Sequence, residues 1–386
     1  MCLTMAGGCG MLTRVSNMTH RADRPDNAKA RAAPRAEEGG ASVMPRSRPT
    51  SADVARRAGV SRTTVSFVLN ERRDVRLRPE TRRRVLQAAA ELGYRPHAPA
   101  RQLAVGESRN LGLVILQGPE QIAVDGLLAE TLRGLSTAAQ AADYRVLIEP
   151  HEPGTRTYLD LIEASHVDGL VISGPRSDDP GLAELAAQQC PVVVQGAAPG
   201  IDCPSVDVDN EAGARRAVEH LLELGHVRIG CITNAPCSFT SAAGRLAGYR
   251  AALRAAEIDP ERACVAEGAF DPASGATAMD RLLDADPELT AVFVASDVVA
   301  LGAVAAARAR GRRIPEDLSV VGFDDIPLAA HFDPPLTTIR VPAYDLGLTV
   351  GRAIIDRIAG QPVPERTLLP IELVVRGSTG PPRRRV

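Results

Sequence analysis

The chain has 386 residues, of which 45% are hydrophobic and 24% charged, so it can form two or three globular domains and is neither fibrous nor disordered as a whole. Its net charge of −2 conceals an asymmetry, because residues 45–105 carry 14 Arg against 5 Asp and Glu, whereas residues 106–386 carry 25 Lys and Arg against 38 Asp and Glu. A compact basic segment is typical of a polyanion-binding module, and the acidic remainder is excluded from that role.

The cysteine pattern indicates a reducing, cytoplasmic compartment. The seven cysteines are scattered, and no two have C-x-x-C spacing, so neither a disulfide framework nor a zinc site is expected. They are Cys2, Cys9, Cys190, Cys203, Cys231, Cys237 and Cys264. No apolar core of signal-peptide length and no 18-residue apolar span occurs, so export and membrane insertion are not expected.

The N-terminal segment, residues 1–47, is rich in Ala, Arg, Gly and Pro and has no periodicity. Such a segment cannot bury enough apolar surface to offset its chain entropy, which predicts a disordered extension. Two candidate start positions, Met1 and Met44, are left open by the sequence.

Residues 48–94 have the pattern of three short helices. Thr50 followed by Asp53 resembles a capping box, Gly59 permits a tight turn, and Ser61 can cap a second helix. Two short helices joined by a Gly-containing turn predict a helix-turn-helix DNA-binding domain. A third helix, in "RPETRRRVLQAAAELGY", would complete a small core with Val85, Leu86, Ala89 and Leu92. A plain three-helix bundle with a basic surface is the alternative.

The second helix, in "GVSRTTVSFVLN", contains a large apolar ring on its outer face. If Val65, Val68 and Leu69 form the buried stripe, Phe67 lies about 200° around the helix from Val65 and faces outward. Packing of Phe67 against the chain after Asn70 is an alternative explanation for the ring.

Residues 95–108, "RPHAPARQLAVGES", predict a hinge. Pro96 and Pro99 interrupt the preceding helix, and the short helical run that carries Ala100, Leu103 and Ala104 ends at Gly106. A run of this length is not stable in isolation. We therefore expect it to fold on DNA.

From residue 109 to 377 the chain alternates strands and helices. The predicted strands are "LGLVIL", "YRVLIE", "DGLVIS", "PVVVQ", "HVRIGCIT", "TAVFVA" and "LSVVGF". Apolar strands joined by amphipathic helices predict an α/β core of two doubly wound parallel-sheet lobes, covered on both faces and connected near 206–211 and 337–341. A small ligand is expected in the crevice between the lobes, at the carboxyl ends of the strands. Residues 378–386 are predicted to be a disordered tail.

These segments together resemble the lactose-repressor (LacI/GalR) family of bacterial transcription regulators over nearly all of residues 48–377. The resemblance is carried by "DVARRAGVSRTTVSFVLN", "ELGYRPHAPARQLA", "VEHLLELGHVRIG", "GRLAGYRAAL", "ASDVVALGAVAAARARGRRIPEDLSVVGFDD" and "PPLTTIRVPAYDLG", in this order. It implies a helix-turn-helix head, a core like that of periplasmic binding proteins, and a homodimer that binds a palindromic operator. No heptad segment follows Val375, so a tetramer is not indicated.

The resemblance also implies which residues contact DNA. Arg62, Thr63 and Phe67 would read base edges in the major groove, with the Phe67 ring against a thymine methyl, and Leu103 of the hinge would wedge into the minor groove. Thr64 and Ser66 would contact phosphates, and the other expected DNA-contacting residues are Asn70 and Ala100. Many relatives carry Arg in place of Phe67, which predicts an altered operator half-site.

For the effector, the resemblance implies Arg245, Asp297 and Phe270 as crevice residues, a set of donors, acceptor and aromatic face that suits a sugar. Helix capping by Asp297 and a surface ion pair of Arg245 are the alternatives. Phe239 and Ser241 fall where purine-binding relatives use Arg and Thr, which argues against a purine corepressor.

An enzyme is not indicated, and no cofactor is expected. Asp324 and Asp325 follow a strand and are interpreted as turn residues, and His220 and His226 do not share a helix face as metal ligands would. No phosphate-binding loop or nucleophile elbow occurs. The sequence therefore predicts a transcriptional regulator that is controlled by a small molecule, and we expect it to be a repressor. The alternative is a two-lobed solute-binding protein of a transport system, which the basic head and the absence of an export signal disfavour.

Overall fold

The computed structural model describes residues 49–69, 75, 77–94, 108–151, 157–188 and 190–383. The chain divides into two compact units, one up to residue 95 and one from residue 96 on. The extension 1–47, predicted to be disordered, and nearly all of the predicted hinge lie outside the described residues. Among the residues described, no helix is long and apolar enough to cross a membrane.

The first unit contains three helices, α1 (Ser51–Ala58), α2 (Arg62–Leu69) and α3 (Pro79–Leu92). The predicted capping box is present, because the Thr50 hydroxyl accepts from the amide of Asp53 while the Asp53 carboxylate accepts from the amide of Thr50 at 2.9 Å. Pro79 occupies the first turn of α3, where its missing amide hydrogen costs nothing. These local signals fix the ends of the helices, as expected from the sequence.

The core of this unit is formed by one buried face of each helix. Val54, Val65 and Val85 are fully buried. The expectation that Leu86 belongs to this core is wrong, since its side chain is 49% exposed. Leu86 follows Val85 by one residue and is thus turned about 100° away, whereas Ala88, one turn further, points inward.

The second unit consists of two α/β lobes. Lobe 1 has a six-stranded sheet in the order β11-β5-β4-β3-β1-β2, all neighbours parallel. Its strands are β1 (Asn110–Ile115), β2 (Arg145–Pro150), β3 (Gly169–Ser173), β4 (Val192–Gln195), β5 (Ser205–Val208) and β11 (Arg366–Leu369). Its helices are α4 (Pro119–Val124), α5 (Gly126–Ala141), α6 (Tyr158–Ser165), α7 (Pro180–Ala187) and α12 (Ala343–Ile358).

Lobe 2 has a six-stranded sheet in the order β12-β10-β9-β8-β6-β7, parallel except for the β10–β12 pair. Its strands are β6 (Ile229–Ile232), β7 (Val265–Ala266), β8 (Ala291–Val294), β9 (Ser319–Asp324), β10 (Thr337–Arg340) and β12 (Glu372–Val374). Its helices are α8 (Asn210–Glu223), α9 (Thr240–Ala255), α10 (Pro272–Ala285), α11 (Asp297–Ala309) and a 3₁₀ helix at Pro327–His331.

The chain passes between the lobes three times. The first crossover joins β5 to α8 and the second joins β10 to α12, both where the sequence predicts them. A third crossover joins β11 to β12. This crossover was not predicted from the sequence, because β11 and β12 are short and their residues are partly exposed, so neither has a continuous apolar run.

Two expectations about the surface of the core are corrected by the structure. The sheets are not covered on both faces throughout, since Leu147 and Ile148 of the edge strand β2 are 40% and 46% exposed. The segment from 378 to 383 is not a free tail, because Ser378 is buried and its hydroxyl donates to the carbonyl of Val320 at 2.6 Å. Polar groups at the end of the lobe 2 sheet thus hold the segment after Gly377 in place.

Two histidines of lobe 2, His220 and His226, also contact this C-terminal segment. His220 of α8 lies 3.0 Å from the hydroxyl of Thr379, and Nε2 of His226 lies 2.8 Å from the carbonyl of Gly380. His226 precedes β6 by three residues instead of opening that strand. Burial lowers the pKa of both imidazoles, so both are neutral structural side chains near pH 7.

Candidate functional site

The first candidate site is the surface of α2 in the helical head. Gly59 ends α1 with a left-handed φ of 65°, which permits the sharp turn into α2. Ser61 then caps α2, since its hydroxyl oxygen accepts from the amide of Thr64 at 3.1 Å. The start of α2 is therefore held in the geometry of a helix-turn-helix motif.

The predicted DNA-contacting residues of α2 divide by exposure. Arg62 and Thr63 are exposed, whereas Thr64, Ser66 and Phe67 are half-buried. Val65 between them is fully buried, as predicted. The outer face of α2 thus presents a guanidinium, hydroxyls and part of an aromatic ring. The remaining predicted DNA contacts, Asn70, Ala100 and Leu103, lie outside the described residues.

The second candidate site is the crevice between the two lobes. It contains about 860 Å³ of empty space, part of it open to solvent, and lies at the carboxyl ends of the strands of both sheets. From lobe 1 its polar lining includes Gln117, Asp125, Thr131, Ser173, Gln195 and Asp207. From lobe 2 it includes Asn210, Asn234, Thr240, Ser241, Arg245, Ser296 and Asp324. The position agrees with that expected of a ligand site in doubly wound sheets.

Arg245 occupies the floor of the crevice and is only 5% exposed. Its Nε donates to Asn210 Oδ1 at 2.9 Å, its Nη1 donates to the carbonyl of Ala295 at 2.6 Å, and its guanidinium carbon lies 3.8 Å from the centre of the Phe323 ring. The Asp324 carboxylate lies 3.1 Å from Nη1 and forms a buried ion pair. The alternative of a surface ion pair is therefore wrong, and Arg245 is a rigid, positively charged part of the crevice wall.

Three carboxylates surround this guanidinium: Asp125 and Asp207 of lobe 1 and Asp324 of lobe 2. Burial raises the pKa of all three above the ordinary value, to about 6 for Asp207 and Asp324, and the charge of Arg245 opposes that rise at each of them. Desolvation is the larger effect because all three lie in a water-poor cleft. The crevice therefore contains more acidic than basic groups.

The other residues expected in the crevice are only partly found there. Ser241 and Phe270 line it, and the Ser241 hydroxyl accepts from Asn234 Nδ2 at 3.2 Å. Phe239 does not line it. Its ring lies behind that of Phe270, edge to face at 5.0 Å between centres, and beneath the guanidinium of Arg176 at 5.1 Å. The side chain of Phe239 is drawn into the apolar core instead, since it is large and uncharged, so it supports the crevice from behind.

Asp297 does not line the crevice either. It is fully buried, and its carboxylate accepts from the amide of Ile326 at 3.1 Å and from the hydroxyl of Thr338 at 2.7 Å. The helix-capping alternative is wrong, because α11 begins at Asp297 itself after Ser296. Burial and the nearby charge of Asp324 raise the pKa of this carboxyl well above its ordinary value. Its observed role is to tie the end of β9 to β10.

Several lining residues were missed by the sequence analysis. Asp324 was interpreted as a turn residue; its φ of 117° fits a turn, but its carboxylate lies in the crevice. Asp207, Gln195 and Asn234 were not considered. A signal was available, because each is a polar residue within or just after the carboxyl end of a buried apolar strand, the position where parallel sheets bind ligands.

Some buried polar atoms of the crevice lining have no hydrogen-bond partner within the described part of the chain, and they are of one chemical kind. These atoms are Gln117 Oε1, Gln195 Oε1 and Asn234 Oδ1. All are oxygen acceptors. A buried acceptor without a partner is costly, so the crevice is built for a ligand that donates hydrogen bonds.

A helix-turn-helix head followed by a two-lobed core with a polar crevice is the architecture of a ligand-responsive, DNA-binding regulator. Comparison with known families agrees with this class. Residues 50–97 match the bacterial regulatory proteins of the lacI family, and residues 218–379 match the periplasmic binding protein-like domain.

Individual relatives extend the similarity over most of the chain. The HTH-type transcriptional repressor CytR of Escherichia coli (strain K12) is 38% identical over 335 residues, which cover 86% of this chain and 96% of CytR. Among solved structures, a complex of the transcriptional regulator CelR with cellobiose is 35% identical with a TM-score of 0.66, covering 86% of this chain and 100% of the other. The lac repressor dimer bound to operator and the anti-inducer ONPF is 33% identical with a TM-score of 0.74, covering 86% and 99%.

The chain belongs to the lacI family of bacterial regulatory proteins, and it is a DNA-binding transcriptional regulator. The family and the fold class predicted from the sequence are confirmed. The alternative of a transport protein is not favoured, because the similarity to regulators includes the helical head.

Proposed function

We propose that this regulator represses transcription by binding a palindromic operator as a homodimer, and that a carbohydrate bound in the interlobe crevice controls its operator affinity. The supporting observation is that the partnerless buried atoms of the crevice lining are all hydrogen-bond acceptors. Sugar hydroxyls are donors that can satisfy them. The structure of the relative CelR was solved in complex with cellobiose, which is a carbohydrate.

On DNA, α2 serves as the recognition helix. Arg62 donates to a guanine and the exposed part of Phe67 packs on a thymine methyl, while Thr63, Thr64 and Ser66 contact phosphates or nearby bases. Leu103 and Ala100 of the hinge enter the minor groove, where a wedge from each protomer kinks the duplex. The site of action is the cytoplasm, where bacterial DNA lies.

In the core, Arg245, Ser241, Asp324 and the edge of Phe270 hold the sugar. Phe239 and Asp297 act indirectly, by supporting Phe270 and the end of β9. Because the crevice is formed by both lobes, a bound sugar stabilises one arrangement of the lobes over another. That difference in binding free energy is what couples effector to operator.

The effector site is tested by replacing Arg245 with Lys, which keeps the charge but loses the fork of donors. A thermal-shift screen of neutral sugars first identifies a ligand of the full chain, and operator duplexes selected from random DNA serve as the second probe. The variant should need roughly ten to a hundred times more sugar to change operator binding, since one or two charged hydrogen bonds are lost. Arg254→Ala, on the exposed face of the same helix, is the control. An unchanged midpoint in Arg245→Lys would remove Arg245 from the site.

The DNA-reading surface is tested by Phe67→Ala. Its affinity for the selected operator should fall by about tenfold, with little change for random duplex, because an apolar contact with a base edge depends on sequence whereas phosphate contacts do not. Val65→Ala, a change in the core of the head, should instead lower the melting temperature. If Phe67→Ala lowers the melting temperature of the head as much as Val65→Ala does, the Phe67 ring belongs to the core.

A further inference from the structure

The charges that face the crevice do not balance. The carboxylates of Asp125, Asp207 and Asp324 share a single lining guanidinium, that of Arg245, within the described part of the chain. Asp324 forms an ion pair with Arg245, with 3.1 Å between Asp324 Oδ1 and Arg245 Nη1. Asp125 accepts from the amide of Leu128 at the start of α5 and from Gln117 Nε2. A bound ligand would therefore meet an excess of negative charge.

Asp207, like Asp125, accepts its hydrogen bonds from uncharged groups, and those from Asn210 are long. Its oxygens accept from the amide of Val208 at 2.8 Å and from Asn210 Nδ2 at 3.2 and 3.3 Å. The side chain is only 9% exposed and lines the crevice. A buried carboxylate held by neutral donors alone retains a strong preference for a cation.

Three amides of the lining use their NH2 groups to hold other residues of the crevice wall. Asn210 donates to Asp207, Gln117 donates to Asp125, and Asn234 donates to Ser241. The side-chain oxygens of Gln117 and Asn234 have no hydrogen-bond partner within the described residues. A sugar hydroxyl brings one donor and two acceptor lone pairs, whereas an ammonium brings three donors and no acceptor. The ammonium is thus the better match for this wall.

We propose that the crevice selects its ligand by charge and that Asp207 is the residue that discriminates. It binds an amine-bearing carbohydrate more tightly than the neutral sugar of the same skeleton, and it does not bind an anionic one. This rests on the proposed function, since it specifies the carbohydrate that the crevice takes. Arg245 and the orphaned acceptors hold ligand hydroxyls, and Asp207 pairs with the ammonium.

The experiment compares matched ligands on the full chain by isothermal titration calorimetry at pH 7. One pair is cellobiose and the β-1,4-linked disaccharide of glucosamine, and the other set is glucose, glucosamine and glucuronate. We expect the amine to bind about tenfold or more tightly than its neutral counterpart in at least one of these sets, because a charged hydrogen bond is worth about 1.4 kcal/mol more than a neutral one. Glucuronate should not bind.

Two variants separate the role of Asp207 from a general effect of charge. Asp207→Asn keeps the shape and an acceptor for Val208, and it should abolish the preference for the amine over the neutral sugar. Asp209→Asn is the control, because Asp209 is exposed and caps α8 through the amide of Ala212 at 2.8 Å. It should keep the preference.

The outcomes distinguish this inference from the proposed function. If the neutral sugar of a set binds as tightly as the amine or more so, the inference is overturned while the carbohydrate site stands. A preference that survives Asp207→Asn would overturn the assignment to Asp207. If no sugar of either set binds, both proposals fall.

Discussion

Buried charge at Asp207 has a cost for folding that depends on pH. Burial raises the pKa of this carboxyl from 3.8 to about 6, so the folded chain holds a proton here that the unfolded chain has released between those values. Stability from this residue is therefore lost as the pH rises from about 4 through 6, and the full cost applies above pH 6. Ligand binding can offset that cost, because a donor in the crevice stabilises the ionised form.

Asp207→Asn should consequently raise the melting temperature of the ligand-free core at pH 7.5, and the gain should shrink toward pH 4. A shift of about two pKa units corresponds to at most about 3 kcal/mol. Thermal melts of both proteins at several pH values measure it, with Asp209→Asn as the matched control. A variant that is less stable than the parent at pH 7.5 would contradict this account.

Asp297 illustrates the opposite situation, a buried carboxylate whose partners are all internal. Asp297→Ala should lower the melting temperature of the core, since it leaves the buried amide of Ile326 and the hydroxyl of Thr338 without an acceptor. The sugar concentration at half-saturation should stay within a few fold. A large loss of sugar affinity with unchanged stability would instead identify Asp297 as a ligand contact.

At the scale of elements, the C-terminal segment completes lobe 2. Ser378 donates to Val320 and accepts from the amide of Thr337, and the amide of Gly380 donates to Ser319 at 3.1 Å. The Ser378 hydroxyl thus satisfies two backbone groups, the Val320 carbonyl and the Thr337 amide, at the ends of β9 and β10 opposite the crevice. The Gly380 amide binds the side-chain hydroxyl of Ser319.

Ending the chain after Gly377 should therefore destabilise the core by roughly 2–4 kcal/mol, from the loss of several buried hydrogen bonds. Chemical denaturation of the full chain and of the truncated chain provides the measurement. A chain that ends after Arg383 keeps all of these contacts and should behave like the parent. Equal stability of the two truncations would mean that the segment is dispensable.

At the scale of the whole molecule, the crevice is closed by contacts between the lobes. The amide of Ser177 in lobe 1 donates to the carbonyl of Ser238 in lobe 2 at 2.8 Å, and Gln121 Nε2 donates to the carbonyl of Ala269 at 2.8 Å. These contacts and the three crossovers connect the two lobes around the crevice. A ligand that bridges the lobes shifts the equilibrium between their arrangements.

A bound sugar should therefore raise the melting temperature of the core unit and leave that of the helical head unchanged. At a ligand concentration about a hundred times the Kd, the gain is about 2.7 kcal/mol by mass action. Hydrogen exchange read separately for residues 49–94 and 108–383 measures both units in one experiment. Protection that rises equally in both units would show that the ligand acts beyond the core.

The sequence by itself determined the features that depend on neighbours along the chain. The capping box at Thr50, the turn at Gly59 and the apolar strands up to Phe323 were predicted because hydrogen bonding at helix ends and burial of strands are local properties. The order of these segments was specific enough to identify the family, and with it Arg245 as a crevice residue.

Only the tertiary structure decided which polar side chains face the ligand. Asp207, Asp297 and Asp324 are all carboxylates at or near strand ends, and their sequence positions do not distinguish them. The Asp297 carboxylate accepts from an amide and a hydroxyl of residues 29 and 41 positions away. In contrast, Asp324 pairs with Arg245 at 3.1 Å and Asp207 lines the crevice from the other lobe. Which acceptor is satisfied internally depends on contacts between distant segments, and those exist only once both lobes have folded and packed.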